Sequence, residues 1–170
     1  AYEFAGQTYL VSANEGDARD YDCFSEEARI KDRTLDPTVF PNASDLQADN
    51  QLGRLNTTTS FDTIGFELDR DQFVPVTTPS TELYTYGARS FSIWAADGTL
   101  VFDSGDQLEQ ITASMLPADF NSTNDENDSF DGRSDDKGPE PEGVVIAELY
   151  SKTYAFIGLE RIGGVMVYDI

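Results

Sequence analysis

The sequence predicts an all-β protein: a partial β-propeller of about two blades, each a four-stranded antiparallel meander, with long, partly helical insertions. Three observations predict it. Residues 144–149, 153–159 and 165–168 are short apolar runs of β-forming composition, divided by separators of turn length. Residues 8–15 recur as 153–160: Thr8, Tyr9 and Glu15 return as Thr153, Tyr154 and Glu160, with apolar positions matched between them. Each copy is followed by a similar strand, residues 90–94 after the first and 165–168 after the second.

The chain therefore reads as strands two, three and four of one unit, then strands one, two and three of the next. A propeller needs at least about four blades to close, so residues 1–170 are expected to be one segment of a larger propeller domain. Residues 20–86 and 114–143 are its long insertions. Without the repeat, a β-sandwich with long loops would fit the composition nearly as well.

Residues 8–13 form the first expected strand and run into Asn14-Glu15-Gly16-Asp17-Ala18-Arg19. Apolar residues then thin out. Residues 25–31 and 43–52 are expected as short helices with Ser25 and Ser44 as N-caps, separated by Asp36-Pro37 and Phe40-Pro41-Asn42. Residues 61–86, rich in Thr, Pro and aromatics, read as extended. Asp97-Gly98 between residues 90–94 and 99–103 predicts a hairpin. Residues 106–116 suit one short helix. Residues 117–143, dense in Asp, Asn, Ser and Gly with no apolar period, read as loop.

Charge narrows the function classes. The chain carries 32 acidic against 11 basic residues, a net charge of −21 with a pI near 4.1. That surplus opposes binding to nucleic acid or anionic lipid and favours cations. It suits a salty medium, where screening acts over roughly 8 Å or less. There is no histidine, hence no ordinary general base near neutral pH and no ordinary zinc ligand. Cys23 is the only cysteine, so no internal disulfide forms, and no local base supports it as a nucleophile. No apolar run reaches the ~18 residues of a membrane span. The N-terminus lacks a charged region followed by an apolar one, as in a mature secreted protein or an internal fragment. Asn-x-Ser/Thr sequons stand at Asn42, Asn56, Asn121 and Asn127, a number expected by chance in a chain this rich in Asn, Ser and Thr.

The candidate chemistry is carboxylate chemistry. Glu15 and Asp17 are separated by one glycine, Glu140 and Glu142 by one proline, and residues i and i+2 of an extended backbone project to one side. Glu160 occupies the position that matches Glu15. Blade ends converge near a propeller axis, so these acids could form an oxygen cage for a hard cation such as Ca²⁺. A solvated acidic rim is the plainer alternative. The run 124–132 invites an EF-hand reading from Asn127, but its twelfth position is Gly138 where a bidentate Glu is required. Asp103-Ser104-Gly105 reads as a turn rather than a nucleophile site. Arg89 and Arg161 each precede the third strand of their copies; their forks suit a phosphate or carboxylate, but the role expected of them first is pairing with the surplus acids.

Residues 14–19, 86–92, 134–143 and 158–164 together resemble the choice-of-anchor I family, across essentially the whole chain. That family includes bacterial extracellular proteins often labelled alkaline phosphatase, and mesenchyme-specific cell-surface glycoproteins linked to biomineralisation. The resemblance implies a secreted or cell-surface β-propeller longer than this chain. Through the family's similarity to calcium-dependent propeller phosphatases, it implies metal at Glu15, Asp17, Glu142 and Glu160, with Arg89 or Arg161 on phosphate. The expected partners are a phosphate ester or an extracellular matrix or mineral surface, together with the rest of the propeller. Two functions stay open: a calcium-dependent phosphomonoesterase, and a non-catalytic extracellular calcium-binding, adhesion or structural module.

Overall fold

A computed structural model describes residues 1–69, 72–126 and 128–170, with side chains at all of these except 63–69 and 72–76. Asn127, which opens the EF-hand-like run and carries a sequon, lies outside the described residues. The strands are β1 (Tyr2–Phe4), β2 (Gln7–Ala13), β3 (Asp20–Tyr21), β4 (Phe24–Ser25), β5 (Glu27–Arg29), β6 (Asn56–Thr58), β7 (Thr63–Asp69), β8 (Gln72–Thr77), β9 (Phe91–Ala95), β10 (Leu100–Asp103), β11 (Pro141–Leu149), β12 (Lys152–Leu159) and β13 (Val165–Asp169). Among the described residues the α-helices are α1 (Ala43–Leu46) and α2 (Gln107–Met115). The architecture is mostly β, with antiparallel sheets and few helices.

The chain divides into two compact units. The first joins Ala1–Gly16 to Gly87–Ile170, and the second is Asp17–Tyr86. The first unit contains a four-stranded sheet in the order β1-β2-β9-β10 and a three-stranded sheet in the order β11-β12-β13. Both are antiparallel meanders. Strand β1 was not expected from the sequence. It is created by a tight turn in which Ala5 and Gly6 both take positive φ, the geometry of a two-residue hairpin. The Asp97-Gly98 hairpin forms as expected, with Gly98 at φ 87° and the Ala95 amide donating to Thr99 O at 2.8 Å.

The internal repeat is a repeat of register. In the first sheet Tyr9 pairs with Ala95, Leu10 with Trp94, Val11 with Ile93, Ser12 with Ser92 and Ala13 with Phe91. Shifting β2 numbers by 145 (Thr8 to Thr153) and β9 numbers by 74 (Ile93 to Val167) gives five pairs of β12 with β13. All five occur: Tyr154 with Asp169, Ala155 with Tyr168, Phe156 with Val167, Ile157 with Met166 and Gly158 with Val165.

Equivalent residues nevertheless face opposite ways. Phe91 and Ile93 are buried in the core, with Tyr9 and Val11 packed against it. The counterparts of Phe91 and Ile93, Val165 and Val167, are 61% and 56% exposed. The second sheet instead sends Ala155, Ile157, Leu159, Met166 and Tyr168 inward. The front of the first sheet thus packs on the back of the second, with the Phe91 and Tyr168 rings 4.5 Å apart. Leu108 from α2 and Ile162 from the β12–β13 turn close this core.

The second unit is built of two-stranded antiparallel pairs: the hairpins β3 with β4 and β7 with β8, and β5 with the distant β6. Its buried residues include Ile30, Leu35 and Tyr86, and an ion pair between Arg33 and Asp62. Residues 25–31 are not the expected helix. They form the end of β4, strand β5 and a 3-10 turn over Ile30–Asp32, because Ala28 pairs with Thr57 and buried Glu26 turns inward to Arg19. Tertiary pairing overrides local helix propensity here. The helix expected over residues 43–52 is reduced to α1, and Asn42 rather than Ser44 stands at its N-cap. Gln47 donates to Ile30 O and Arg33 O, while a Cβ on Gly53 would lie 2.1 Å from Gln47 O, so the chain turns back instead of continuing the helix.

Candidate functional site

The repeat places Glu15 and Glu160 just beyond the ends of β2 and β12, the second strands of their sheets. Between them in sequence, residues 133–140 fold into a tight loop, half-buried over 133–136 and buried over 137–140. Gly138 has φ 64°, and a Cβ there would meet Glu109 Oε1 at 3.1 Å and Arg89 Cδ at 3.2 Å. Glu140 has φ 50°, a left-handed conformation that costs a non-glycine residue about 1–3 kcal/mol. That kink breaks the extended geometry on which the Glu140–Glu142 pairing depended. Glu140 points inward and is fully buried, whereas Glu142 is exposed on β11.

Glu15, Glu140 and Glu160 are brought together, with one carboxylate oxygen of each lying within 4.8 Å of the others. Three cations meet them. The Lys137 ammonium is 2.9 Å from Glu15 Oε1 and 3.1 Å from Glu140 Oε2. Arg161 Nε lies 3.0 Å from Glu140 Oε1, and Arg133 Nη2 donates to that same oxygen. Arg133 also pairs with Asp136 at 2.6 Å, and Arg161 Nη2 stands 3.5 Å from Glu160 Oε1.

The electrostatics follow from this crowding. Burial by itself would raise the Glu140 pKa, but hydrogen bonds from Arg161, Arg133 and Lys137 outweigh it and hold the carboxyl down at about 2. Burial opposes the charge on Lys137 too, and its hydrogen bonds to Glu15 and Glu140 win, raising its pKa. Glu160 is shifted the other way. Burial raises its pKa, and a hydrogen bond with the Glu140 carboxyl adds to the effect.

Such a carboxylate triad could hold a metal ion. A hard cation such as Ca²⁺ takes about six to eight oxygen ligands. Here the charge that a divalent ion would neutralise is already met by Lys137, Arg133 and Arg161. As arranged, the donor set does not fit a resident calcium, which would first have to displace the Lys137 ammonium. Asp17, expected as a ligand beside Glu15, belongs to the second unit. Its Oδ1 accepts the Ala18 amide at 2.9 Å.

Both arginines of interest are engaged. Arg89, at φ 57°, donates to Glu109 Oε1 at 3.0 Å, Ser134 O at 2.8 Å and Asp136 O at 2.9 Å. It thereby ties the start of β9 to the 133–140 loop. Arg161 holds Glu140 and donates to Asn124 Oδ1 at 3.1 Å. Sequence reasoning missed Arg133 and Lys137. The available signal was two of the chain's 11 basic residues standing in an otherwise acidic loop next to Glu140. The sequon residue Asn121 is also part of this corner: it is fully buried, and its Nδ2 donates to Glu109 Oε1 and Ser134 Oγ.

A second polar cluster lies on the first sheet. Asp103 Oδ2 accepts Ser90 Oγ at 3.1 Å and Ser92 Oγ at 2.5 Å, and Asn14 Nδ2 reaches both serines. The other oxygen, Oδ1, accepts the Gly105 amide at 2.7 Å, and Ser104 Oγ accepts the Phe91 amide, so Asp103-Ser104-Gly105 is a turn. Cys23 is an exposed free thiol. Among the described residues no helix is long and apolar enough to cross a membrane.

Comparison with known proteins places the chain. Gigasin-3a of Magallana gigas is 37% identical over 93 residues, which cover 52% of this chain and 33% of that protein. The mesenchyme-specific cell surface glycoprotein of Strongylocentrotus purpuratus is 24% identical over 102 residues, covering 52% of this chain and 13% of that protein. The matched regions thus span a third or less of these relatives' lengths. No solved structure matches. The choice-of-anchor I domain matches residues 1–170 from end to end, and the chain belongs to that family.

Proposed function

We propose that this chain is part of an extracellular or cell-surface β-propeller that works as a non-catalytic binding module. The propeller reading draws support from the repeated register and from the front-to-back packing of the two sheets. A sandwich needs no such repeat, whereas successive blades of a propeller are copies stacked in one sense. The similarity to a mesenchyme-specific cell surface glycoprotein supports the location.

The observation that carries the non-catalytic reading is the ion pairing inside the Glu15, Glu140, Glu160 corner, even though the buried Glu140 Oε2, Arg133 Nε and Arg161 Nε make no hydrogen bond of good geometry. Its carboxylates, Arg161 and Lys137 are bound to one another, and Arg89 is spent on Glu109 and two carbonyls. A phosphoesterase needs a cation and an arginine with free positions facing one phosphate. Other acids, including Asp20, Asp22, Asp97, Asp106, Asp125 and Asp128, are exposed and spread along the chain. Such a surface attracts calcium weakly and suits a cation-bearing matrix or mineral surface.

The test assays phosphomonoesterase activity and calcium binding of the full-length protein, before and after chelation, beside Glu160→Gln. No turnover in any sample, with calcium binding no tighter than about 0.1–1 mM, is the expected result. Activity that disappears both on chelation and in Glu160→Gln would replace this reading with the calcium-dependent phosphomonoesterase.

A further inference from the structure

The second unit holds a polar cleft of about 120 Å³, lined by Asp32, Thr34, Asp62, Thr77, Thr78 and Ser80. Asp32, Thr34, Thr77 and Thr78 are exposed, so the cleft opens to solvent. Its floor is a buried ion pair. Arg33 pairs with Asp62 and donates to Thr57 Oγ1 at 2.8 Å, Thr58 O at 2.6 Å and Ser80 Oγ at 2.9 Å. Arg33 and Ser80 both bond to Asp62 Oδ2. Among the described residues Asp62 Oδ1 accepts no hydrogen bond, although Asp62 is only 8% exposed. A carboxylate oxygen so enclosed needs a donor from water or from a ligand.

The lining sorts ligands by charge. Asp62 already meets the Arg33 charge and Asp32 adds an acid, so the cleft repels an anion, as the net charge of −21 does. A metal ion would face the Arg33 guanidinium and, among the described residues, two carboxylates where calcium takes about six to eight oxygens. Hydroxyl groups suit the cleft, because each can donate to Asp62 and accept from a threonine. Apolar surface adjoins it. The turn in which the Asp62 amide donates to Thr59 O at 3.1 Å carries Phe61, which is 71% exposed. The Phe61 and Tyr84 rings lie 4.6 Å apart, and the Thr58 amide fixes Tyr84 by donating to its carbonyl at 3.0 Å. The Tyr84 hydroxyl donates to the exposed Glu82 carboxylate.

We propose that the Asp62 cleft and the Phe61–Tyr84 pair bind one uncharged sugar residue of a glycan. A sugar ring carries hydroxyls at its edge and C–H groups on its faces, the two characters found side by side here. Asp62 Oδ1 accepts one hydroxyl, the threonine side chains meet its neighbours, and a ring face rests on Phe61. The cleft is smaller than the roughly 300 Å³ or more of a pocket that encloses a whole ligand. It therefore admits the edge of one ring and leaves the rest of the glycan outside. The proposal goes beyond the binding-module reading and stands on the second unit alone.

Saturation-transfer NMR on the full-length protein tests it. The probes are the methyl glycosides of glucose, N-acetylglucosamine, mannose and galactose, with a tetrasaccharide of each. At least one tetrasaccharide should bind, with a dissociation constant of about 1 mM or below. Phe61→Ala and Thr34→Val should each weaken that binding at least about fivefold and leave the unfolding midpoint unchanged. Asp62→Asn should abolish it but leaves Arg33 unpaired, so the two surface variants carry the test. No transfer to any probe overturns the proposal, as does binding that either variant retains at parental strength. A methyl glycoside that binds while its tetrasaccharide does not would assign the cleft to a free sugar and overturn the glycan. Phosphatase activity would overturn the non-catalytic reading and leave this binding untouched.

Discussion

The Lys137 ammonium lies 2.9 Å from Glu15 Oε1, joining residues 122 positions apart. The contact links the end of β2, in the first sheet, to the loop that leads into β11, in the second. Lys137 reaches Glu140 from the same position, so one ammonium bridges two carboxylates from different parts of the first unit.

Removing that ammonium should be costly. Lys137→Met leaves Glu140 buried with less compensation, and breaking such a pair from one side costs about 3–5 kcal/mol. Urea unfolding followed by Trp94, the only tryptophan and a residue of β9, reads this loss in the first unit. With the ammonium gone, the three carboxylates should also take up calcium, so millimolar Ca²⁺ should raise the midpoint of the variant more than that of the parent.

The two acids at this corner should respond oppositely to substitution. Glu140→Gln removes the partner of Arg133, Lys137 and Arg161 and should destabilise strongly at pH 7. Glu160→Gln relieves a carboxyl whose charge is opposed first by burial and then by Glu140, and should be neutral or stabilising. Thermal melts of the two variants at neutral pH check the contrast.

Acid should weaken the fold in a defined window. The carboxyls of Glu140 and Glu26 sit at about 2 in the folded protein, below the ordinary glutamate value of about 4.3. Burial works against the Glu140 charge and its three cations overcome it, whereas at Glu26 the leading cause is the hydrogen bond from Arg19. A depressed folded pKa gives stability that is full above the unfolded pKa and is lost as pH falls towards the folded one. Stability should therefore drop between about pH 4.3 and about pH 2, whereas the raised pKa of Glu160 acts above that window, its penalty being relieved as pH falls towards about 4.3. Denaturation midpoints across that range should fall less in Glu140→Gln than in the parent.

Gly87→Ala tests how closely the chain approaches itself beside the site. Gly87 has φ 64°, and a Cβ there would stand 1.5 Å from Glu15 O. The left-handed backbone alone costs about 1–3 kcal/mol, and displacement of the Glu15 backbone adds the Lys137 contact to the loss. A midpoint unchanged from the parent would contradict the approach.

In the second unit the buried Arg33 guanidinium pairs with Asp62 and donates to Thr57 Oγ1, Thr58 O and Ser80 Oγ. Arg33→Lys retains the charge but not the planar fork, so it should destabilise almost as much as Arg33→Met, by about 3 kcal/mol or more. Far-ultraviolet circular dichroism during urea unfolding measures both.

The sequence by itself determined the strands whose apolar residues alternate or run between clear turn residues. Strands β2, β9, β10, β11, β12 and β13, helix α2 and the Asp97-Gly98 turn were all legible, because their local preferences and their tertiary roles agree. The repeat was legible too, since copies of one unit keep the same pattern. Strand β1 was hidden by a turn whose first residue is Ala5 where Asn, Asp or Gly is usual, and the supposed helix at residues 25–31 was overridden by pairing with residues 56–58. At the candidate site the sequence supplied Glu15, Glu140 and Glu160 but not their company. Tertiary structure alone decided that a left-handed turn at Glu140 parts it from Glu142, and that Arg133 and Lys137 join Arg161 around the carboxylates. The physical reason is burial. Once Glu140 is taken out of water its charge must be met at short range, and which cations meet it depends on how distant segments fold together, which no local pattern records.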